Sequence, residues 1–334
     1  FIVTVYNTIK GLKVKYLSGD PANPEVGQVW YNSTTGNLRV DGIAGTGAWA
    51  SGGAVNTNRA SLAGAGTQND MIINGGNSPA FESTTAAETY NGTSWTAITA
   101  SPTATKQMAS TGTTTSAANF IGGGPDPKKN ITQHWNGSSW SAGGTLATAR
   151  ANMRGTGPHT AGIILGGQGA SGAGLLAEKY NGTSWTSAST LAAGNFGGSM
   201  AGTSTAAIGF GGYYDLRPSG GSEAQTAQTF SYDGSTWSIV NSMANVRNYG
   251  QGAGSSGSAI VGGKSSAPAS TLAEQWDGTS WTAAAAMAIG RWSGGSAGTS
   301  AAAATVVAGL SGGSYVGTSE EYTIPSGTQS ITTS

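Results

Sequence analysis

Apolar residues recur along this chain in short unbroken runs that end at glycines: Met71-Ile-Ile-Asn-Gly-Gly76, Asn119-Phe-Ile-Gly-Gly123, Ile163-Ile-Leu-Gly-Gly167, Ile208-Gly-Phe-Gly-Gly212 and Ala259-Ile-Val-Gly-Gly263. Such runs predict short strands buried on both faces, with glycine where backbones crowd together. Downstream of each run, apolar and polar positions alternate around Asn-Gly or Asp-Gly. The phrases are Tyr90-Asn-Gly-Thr-Ser-Trp95, Trp135-Asn-Gly-Ser-Ser-Trp140, Tyr180-Asn-Gly-Thr-Ser-Trp185, Tyr232-Asp-Gly-Ser-Thr-Trp237 and Trp276-Asp-Gly-Thr-Ser-Trp281. Alternation around Asn-Gly predicts a hairpin closed by a two-residue type I′ turn, with a large aromatic on each arm. A Gly/Ser/Thr-rich stretch upstream, such as Ala63-Gly-Ala-Gly-Thr67 or Ser296-Ala-Gly-Thr299, has room for one more strand.

Each unit therefore holds four antiparallel strands, a to d. Trp49, Trp95, Trp140, Trp185, Trp237 and Trp281 mark the period, at intervals of 46, 45, 45, 52 and 44 residues. Four-stranded units of that length read as propeller blades. Paired glycines after strand b, then a spaced Tyr and Trp on strands c and d, resemble the kelch family over roughly Ala50 to Thr323. The sixth unit has a strand b at Thr305-Val-Val-Ala-Gly309 and a strand c at Glu320-Glu-Tyr-Thr323, but no Trp follows Tyr322, while Trp49 has no partner. The expected fold is thus an all-β, six-bladed kelch-like propeller over residues 46–325, whose last blade is completed by Gly47-Ala-Trp-Ala-Ser51. Closure of that kind removes an exposed sheet edge. The alanine-rich stretches at 283–286 and 301–304 favour helix locally, but their register inside the repeats predicts strand or loop.

Composition narrows the function. Only 9% of residues are charged, and 15 basic residues balance 15 acidic ones, so nothing favours nucleic acid or a membrane surface as partner. No cysteine is present, which excludes disulfides, thiolate metal sites and a nucleophilic thiol. No apolar run approaches the roughly 20 residues a membrane helix needs. Phe1-Ile-Val-Thr-Val-Tyr6 is too short and β-branched for a signal peptide's core. No membrane insertion and no cleaved signal are expected.

Residues 1–45 depart from the repeat. Val26-Gly-Gln-Val-Trp-Tyr-Asn-Ser-Thr-Thr-Gly-Asn-Leu-Arg-Val40 predicts two strands around a turn at Asn32 to Gly36. It resembles the hairpin module found repeatedly in bacteriophage tail-fibre and other virion appendage proteins. Lys13-Val-Lys-Tyr-Leu17, Asp20-Pro21 and Pro24 look like the lead-in of marine and cyanobacterial phage structural proteins. The resemblance implies an attachment module that contacts other virion proteins, a location at the particle surface, and a homo-oligomer within the particle. Residues 326–334 read as a C-terminal tail.

Candidate chemistry is sparse. Asn91, Asn136 and Asn181 match the N-glycosylation pattern, but Asp233 and Asp277 fill the same position, so turn formation explains them. His134 and His159 fall in different repeats and form no ligand pair, and no Asp-x-Asp calcium loop appears. No metal or cofactor is expected. Seven residues before the strand-a glycine, a column reads Arg59, Thr105, Arg150, Asn195, Arg247 and Arg291, at the connection from strand d to the next strand a. Phe196, Tyr249 and Trp292 follow closely, and the longest b-to-c insertion, Tyr213 to Glu223, opens on the same face. Arg59, Arg150, Arg247 and Arg291, with Tyr213, Tyr214, Asp215, Arg217, Tyr249 and Trp292, form the candidate site for a host-surface glycan. The kelch resemblance implies a second role for the arginines, hydrogen bonding to carbonyls of a neighbouring blade.

The expected function is a non-enzymatic phage virion protein, a tail fibre or surface appendage that binds a host glycan. One alternative is a decoration subunit without ligand. Another is a sialidase-type glycosidase, because Ser231-Tyr-Asp-Gly-Ser-Thr-Trp237 resembles that family's Asp box, though it is one residue shorter. Glu88, Glu178, Glu274 and Glu320, on c strands, are expected near the rim and away from any paired-carboxylate chemistry.

Overall fold

The computed structural model describes residues 14–21, 28–43, 46–170, 172–215, 223–266 and 268–330. The chain divides into two compact units, Ala48–Thr323 and the combination of Phe1–Gly47 with Ile324–Ser334. The larger unit is a six-bladed β-propeller of four-stranded antiparallel sheets. In blade 1, strands a to d are Ala63–Gly66, Met71–Asn74, Ala87–Tyr90 and Trp95–Ala97. Blades 2 to 5 repeat this order, with a strands starting at Ala109, Arg154, Ser199 and Gln251. Blade 6 is assembled from Gly295–Ser300, Ala303–Val307, Thr318–Thr323 and the N-terminal strand Ala48–Ala54. Each a strand neighbours the next, and that of blade 6 neighbours that of blade 1, so the ring closes. Both alanine-rich stretches lie in strands or their turns.

The core is layered between successive blades. Every residue of Met71–Asn74 is buried, as a strand covered on both faces requires. Each c strand places an aromatic opposite the d-strand Trp. Ring centroids lie 4.8 Å apart for Tyr90 and Trp95, 5.1 Å for Trp135 and Trp140, and 5.0 Å for Tyr322 and Trp49, the pair made by ring closure. Several indoles also reach the preceding blade. Trp140 Nε1 donates to Thr99 O at 2.7 Å, Trp185 Nε1 to Thr132 Oγ1 at 2.9 Å, and Trp49 Nε1 to Ala285 O at 2.8 Å.

The c-to-d turns differ from the two-residue type expected. Tyr90 pairs directly with Trp95, leaving a four-residue loop. Its shape comes from the first side chain: Asn91 Oδ1 accepts from Thr93 N at 3.0 Å and Ser94 N at 2.9 Å. Only the following glycine needs positive φ, 87° at Gly92. Because an acceptor oxygen is the requirement, aspartate serves equally. Asp233 Oδ1 receives Ser235 N and Thr236 N at 2.8 and 2.7 Å, and these bonds hold its carboxyl well below the usual range.

In the smaller unit, Lys15–Leu17 runs parallel to Val29–Asn32, which forms a hairpin with Asn37–Ile43. Asp20 Oδ1 fastens it, accepting from Trp30 Nε1 at 2.9 Å and Asn32 Nδ2 at 2.8 Å. Residues 326–330 are not a tail. They form a strand antiparallel to Asn37–Ile43, occupying the ladder that the hairpin alone would leave open. The Phe1 to Tyr6 run, Lys13, Pro24 and Val26 lie outside the described residues.

Candidate functional site

The four arginines of the candidate column are interior. Arg59, Arg150, Arg247 and Arg291 are all fully buried, and each pairs with a strand-c glutamate of the blade that follows it. The N to O distances are 2.5 Å to Glu88, 2.5 Å to Glu178, 3.0 Å to Glu274 and 2.8 Å to Glu320. In Arg150, Arg247 and Arg291, Nη1 also caps carbonyls where strands b and c separate. Arg150 Nη1 donates to Gly166 O at 2.7 Å and Leu176 O at 3.1 Å, and Arg247 Nη1 to Gly263 O and Leu272 O at 3.0 and 2.8 Å. The second carboxylate oxygen takes a backbone amide of the d-to-a connection, as in Ala147 N to Glu178 at 3.1 Å and Ala288 N to Glu320 at 2.6 Å. Burial pulls the pKa of Arg150, Arg247 and Arg291 below the ordinary arginine range, and the paired glutamates push back. These arginines are latches that fasten one connection to one blade, and none is placed to meet a glycan. The four glutamates, expected near the rim, are buried with them.

Two blades replace the latch as a unit. In blade 2, Gln133 Nε2 donates to Thr105 Oγ1 at 3.1 Å, and Gln133 Oε1 accepts Thr103 N at 3.0 Å. In blade 4, Phe230 stands where the glutamate would be, and Asn195 Nδ2 caps Gly211 O at 3.1 Å. A guanidinium still reaches this place from the neighbouring blade: Arg154 Nη2 donates to Gly211 O at 2.8 Å and to Asn195 Oδ1. Gly198 makes its room, since a Cβ there would strike Arg154, and a Cβ at Gly209 would crowd it at 3.1 Å. No carboxylate pairs with Arg154 among the described residues, and burial alone drops its pKa to about 9.

Two residues past the latch column the chain enters the left-handed region once per blade, at Ser61, Gln107, Asn152, Gly197, Tyr249 and Ser293, with φ between 52° and 64°. Each of these residues donates its N–H to the carbonyl of the equivalent residue one blade back, at 2.5 to 2.9 Å, and Ser61 completes the circuit by donating to Ser293. Six backbone hydrogen bonds thus encircle one end of the central cavity, whose walls begin at the next residue of every blade. The cavity encloses about 300 Å³, lined mostly by Gly, Ala, Ser and Thr of the a strands.

Outside this ring an arc of aromatic side chains spans blades 4 to 6. Phe196 stacks on Tyr213 at 5.1 Å, Tyr213 meets Tyr249 edge-on at 5.9 Å, and Tyr249 meets Trp292 at 6.0 Å. Phe196 is buried beneath, while Tyr213, Tyr249 and Trp292 are partly exposed. Antiparallel pairing of Gly194–Phe196 with Tyr213–Asp215 sets Phe196 directly opposite Tyr213. Asn248 Nδ2 donates to Tyr213 Oη at 2.6 Å, and Asn248 Oδ1, buried, has no partner among the described residues. Burial, then Tyr213 and Glu223, pushes the Tyr249 pKa up to about 12, so its hydroxyl stays protonated. Tyr214 turns away and donates to Gln228 Oε1 at 2.6 Å. Asp215 pairs through its backbone with Gly194, and Arg217 lies outside the described residues. Sequence reasoning thus placed Tyr213, Tyr249 and Trp292 together, put four arginines among them that belong inside, and missed Asn248 and the left-handed ring. That ring keeps a fixed offset of two from the arginine column, which is its one sequence signal.

On the opposite face, the structure joins the two histidines that the repeats seemed to separate. The rings of His134 and His159, from adjacent blades, stack at 5.6 Å, and Asn119 bridges them, its Oδ1 accepting from His134 Nδ1 at 2.8 Å and its Nδ2 donating to His159 O at 2.7 Å. Burial, then His159, lowers the His134 pKa. Among the described residues, no group of three metal-ligating side chains occurs.

No protein-family model matches the chain, and no curated protein matches it. The solved structure of YjhT is similar, with a TM-score of 0.63 and 16% identity over 83% of this chain and 99% of that one. At that identity the likeness bears on the fold alone, and it agrees with the propeller.

Proposed function

We propose that this chain is a non-enzymatic structural protein of a bacteriophage particle, a tail-fibre or surface appendage, whose propeller binds a host-surface glycan. The observation that carries the binding is the Phe196, Tyr213, Tyr249 and Trp292 arc. Aromatic faces take up the C–H face of a sugar ring, while amides and phenols meet its hydroxyls. Here Tyr249, partly exposed, keeps a protonated hydroxyl that can donate. With the column arginines turned inward, the ligand is read by stacking and neutral polar groups rather than by charge. A glycosidase needs available paired carboxylates, and Glu88, Glu178, Glu274 and Glu320 are all engaged by arginine. The particle assignment rests on the resemblance of the N-terminal hairpin, now seen held shut by Asp20.

The test is host-cell adsorption and glycan-array binding of Tyr249→Ala and Trp292→Ala. Each should weaken binding tenfold or more, as loss of an aromatic anchor worth about 2 kcal/mol does, with the melting temperature monitored in parallel. Wild-type protein that binds no glycan while remaining essential for particle assembly would favour the decoration subunit instead.

A further inference from the structure

Aromatic side chains on this face do not stop at Trp292. Its backbone bridges to Leu310, and Leu310 lies directly opposite Tyr315 in the next ladder. Residues directly opposite one another in a ladder share a face, so Trp292, Leu310 and Tyr315 stand side by side, with about 10 Å between the outer two at ordinary strand spacing. Tyr315 in turn meets Phe81 of blade 1 edge-on, at 6.2 Å. Phe81 is unusual twice over: a large apolar side chain 70% exposed, on a backbone at φ 64°. A bulky residue keeps that conformation only where its surroundings impose it. Here Phe81 N donates to Ser78 O at 2.8 Å, and Lys106 Nζ from the next blade donates to Phe81 O at 3.2 Å. The chain is being held so that the ring faces outward.

Resting on the glycan reading above, we propose that Phe81 and Tyr315 form a second subsite, and that the crescent from Phe196 to Phe81 is a track for an extended polysaccharide rather than a socket for one terminal sugar. The crescent repeats one arrangement at its two ends. Tyr213 Oη receives Asn248 Nδ2 and Tyr315 Oη receives Asn77 Nδ2, both at 2.6 Å. Each phenol keeps its own proton to donate, beside a second aromatic face. Two equivalent stations along one curved line match a polymer that presents the same ring face and hydroxyls at every repeat. The amide-bonded phenols at both ends of this apolar run favour a hydroxylated ligand over a protein partner.

Affinity would be measured by calorimetry against malto-, cello- and chito-oligosaccharides graded from monosaccharide to octasaccharide, and by affinity electrophoresis in the parent polymers, with wild type and Phe81→Ala. That exposed ring can be removed without opening the core. Affinity for the preferred series should climb at least tenfold from disaccharide to octasaccharide. Phe81→Ala should remove most of that climb and leave disaccharide binding unchanged, and Tyr315→Phe should repeat the effect in part. Binding that is independent of chain length, or equal losses for short and long ligands, would overturn the track while sparing the glycan site. Binding to no probe here and to nothing on the glycan array would overturn both. Self-association that Phe81→Ala abolishes, with polysaccharide binding intact, would assign the subsite to a second copy of the chain and overturn the track.

Discussion

The buried latches make an unusually direct test of how charge is handled inside this ring, because blade 2 already contains the neutral alternative. Arg150→Thr would leave Glu178 buried with only the Ala147 amide, and would strip Gly166 O of its guanidinium donor while Leu176 O keeps the Gly166 amide. Glu178→Gln would leave the Arg150 cation buried without its counter-charge. Breaking one partner of a buried ion pair costs about 3 to 5 kcal/mol, which corresponds to a fall of roughly 6 to 20 °C in melting temperature for a domain of this size class. The double variant recreates the Thr105 and Gln133 pair, whose hydrogen bonds are 3.1 Å to the hydroxyl and 3.0 Å from the connection amide. It buries no charge, so it should recover about 2 kcal/mol or more relative to the summed single effects. Urea unfolding followed by tryptophan fluorescence would close the cycle. A double variant destabilised by the plain sum of the two singles, within about 0.5 kcal/mol, would refute the idea that charge pairing rather than side-chain volume sets the cost.

Trp49→Ala should cost about 2 kcal/mol, less than the 3 to 5 kcal/mol for a fully buried indole, because Trp49 is only partly buried though bonded to Ala285 O and packed on Tyr322; an unchanged thermal midpoint would deny the closing strand its role. Burial and the neighbouring Tyr213 and Glu223 raise the folded Tyr249 pKa to about 12, above the ordinary value of 10.0, so its contribution is intact below pH 10 and lost as pH rises toward 12. Tyr249→Phe should therefore remove about 2 to 3 kcal/mol of the alkaline loss of stability, read from urea unfolding across that window. Arg154→Met should cost under about 1 kcal/mol or even stabilise, since no carboxylate is orphaned and Asn195 still caps Gly211 O; a loss as large as that of Arg150→Thr would show that Arg154 is as firmly compensated as the paired arginines.

The repeat was legible because it rests on short-range chemistry. Unbroken apolar runs, glycine pairs and an aromatic on each hairpin arm carry the blade in every unit, and the missing Trp after Tyr322 pointed straight to Trp49 as its partner. Local patterns also misled. Asn-Gly suggested a two-residue turn, but the Asn91 side chain holds a longer loop, and nothing in the dipeptide distinguishes the two. The arginine column was found at the right place and given the wrong direction. Its partners, Glu88, Glu178, Glu274 and Glu320, lie 27 to 29 residues downstream, a nearly constant separation that names them as mates once both columns are aligned. Whether such a pair faces inward depends on how the d-to-a connection crosses the end of the sheet, and periodicity does not record that. The crescent was half visible, because Phe196, Tyr249 and Trp292 lie one or two residues past the arginine column, whereas Phe81 and Tyr315 sit in b-to-c loops of unrelated sequence and meet only when the ring closes blade 6 against blade 1.

Blade 4 shows why regularity and function part company here. It lacks the arginine and glutamate latch, and Asn195, which takes the arginine's place, directly precedes Phe196 of the aromatic arc. Gly198 and Gly209 admit Arg154 from the neighbouring blade, and Gly197, the one glycine in the left-handed ring, lets Tyr249 lie across it. A Cβ at Gly197 would come within 2.9 Å of the Tyr249 ring. The same blade sets Phe196 opposite Tyr213 where blades 1 and 2 pair Ala60 with Asn77 and Lys106 with Gly124. An internal ion pair is thus exchanged for an unpaired buried cation, and a substituted ring position for a bare one. Both changes weaken the blade locally while bringing aromatic faces together at its end. Departures that oppose local stability yet converge on one patch of surface are the pattern expected where a fold has been bent toward binding. The four arginine and glutamate latches and the neutral pair of blade 2 supply the rigidity against which that patch is held.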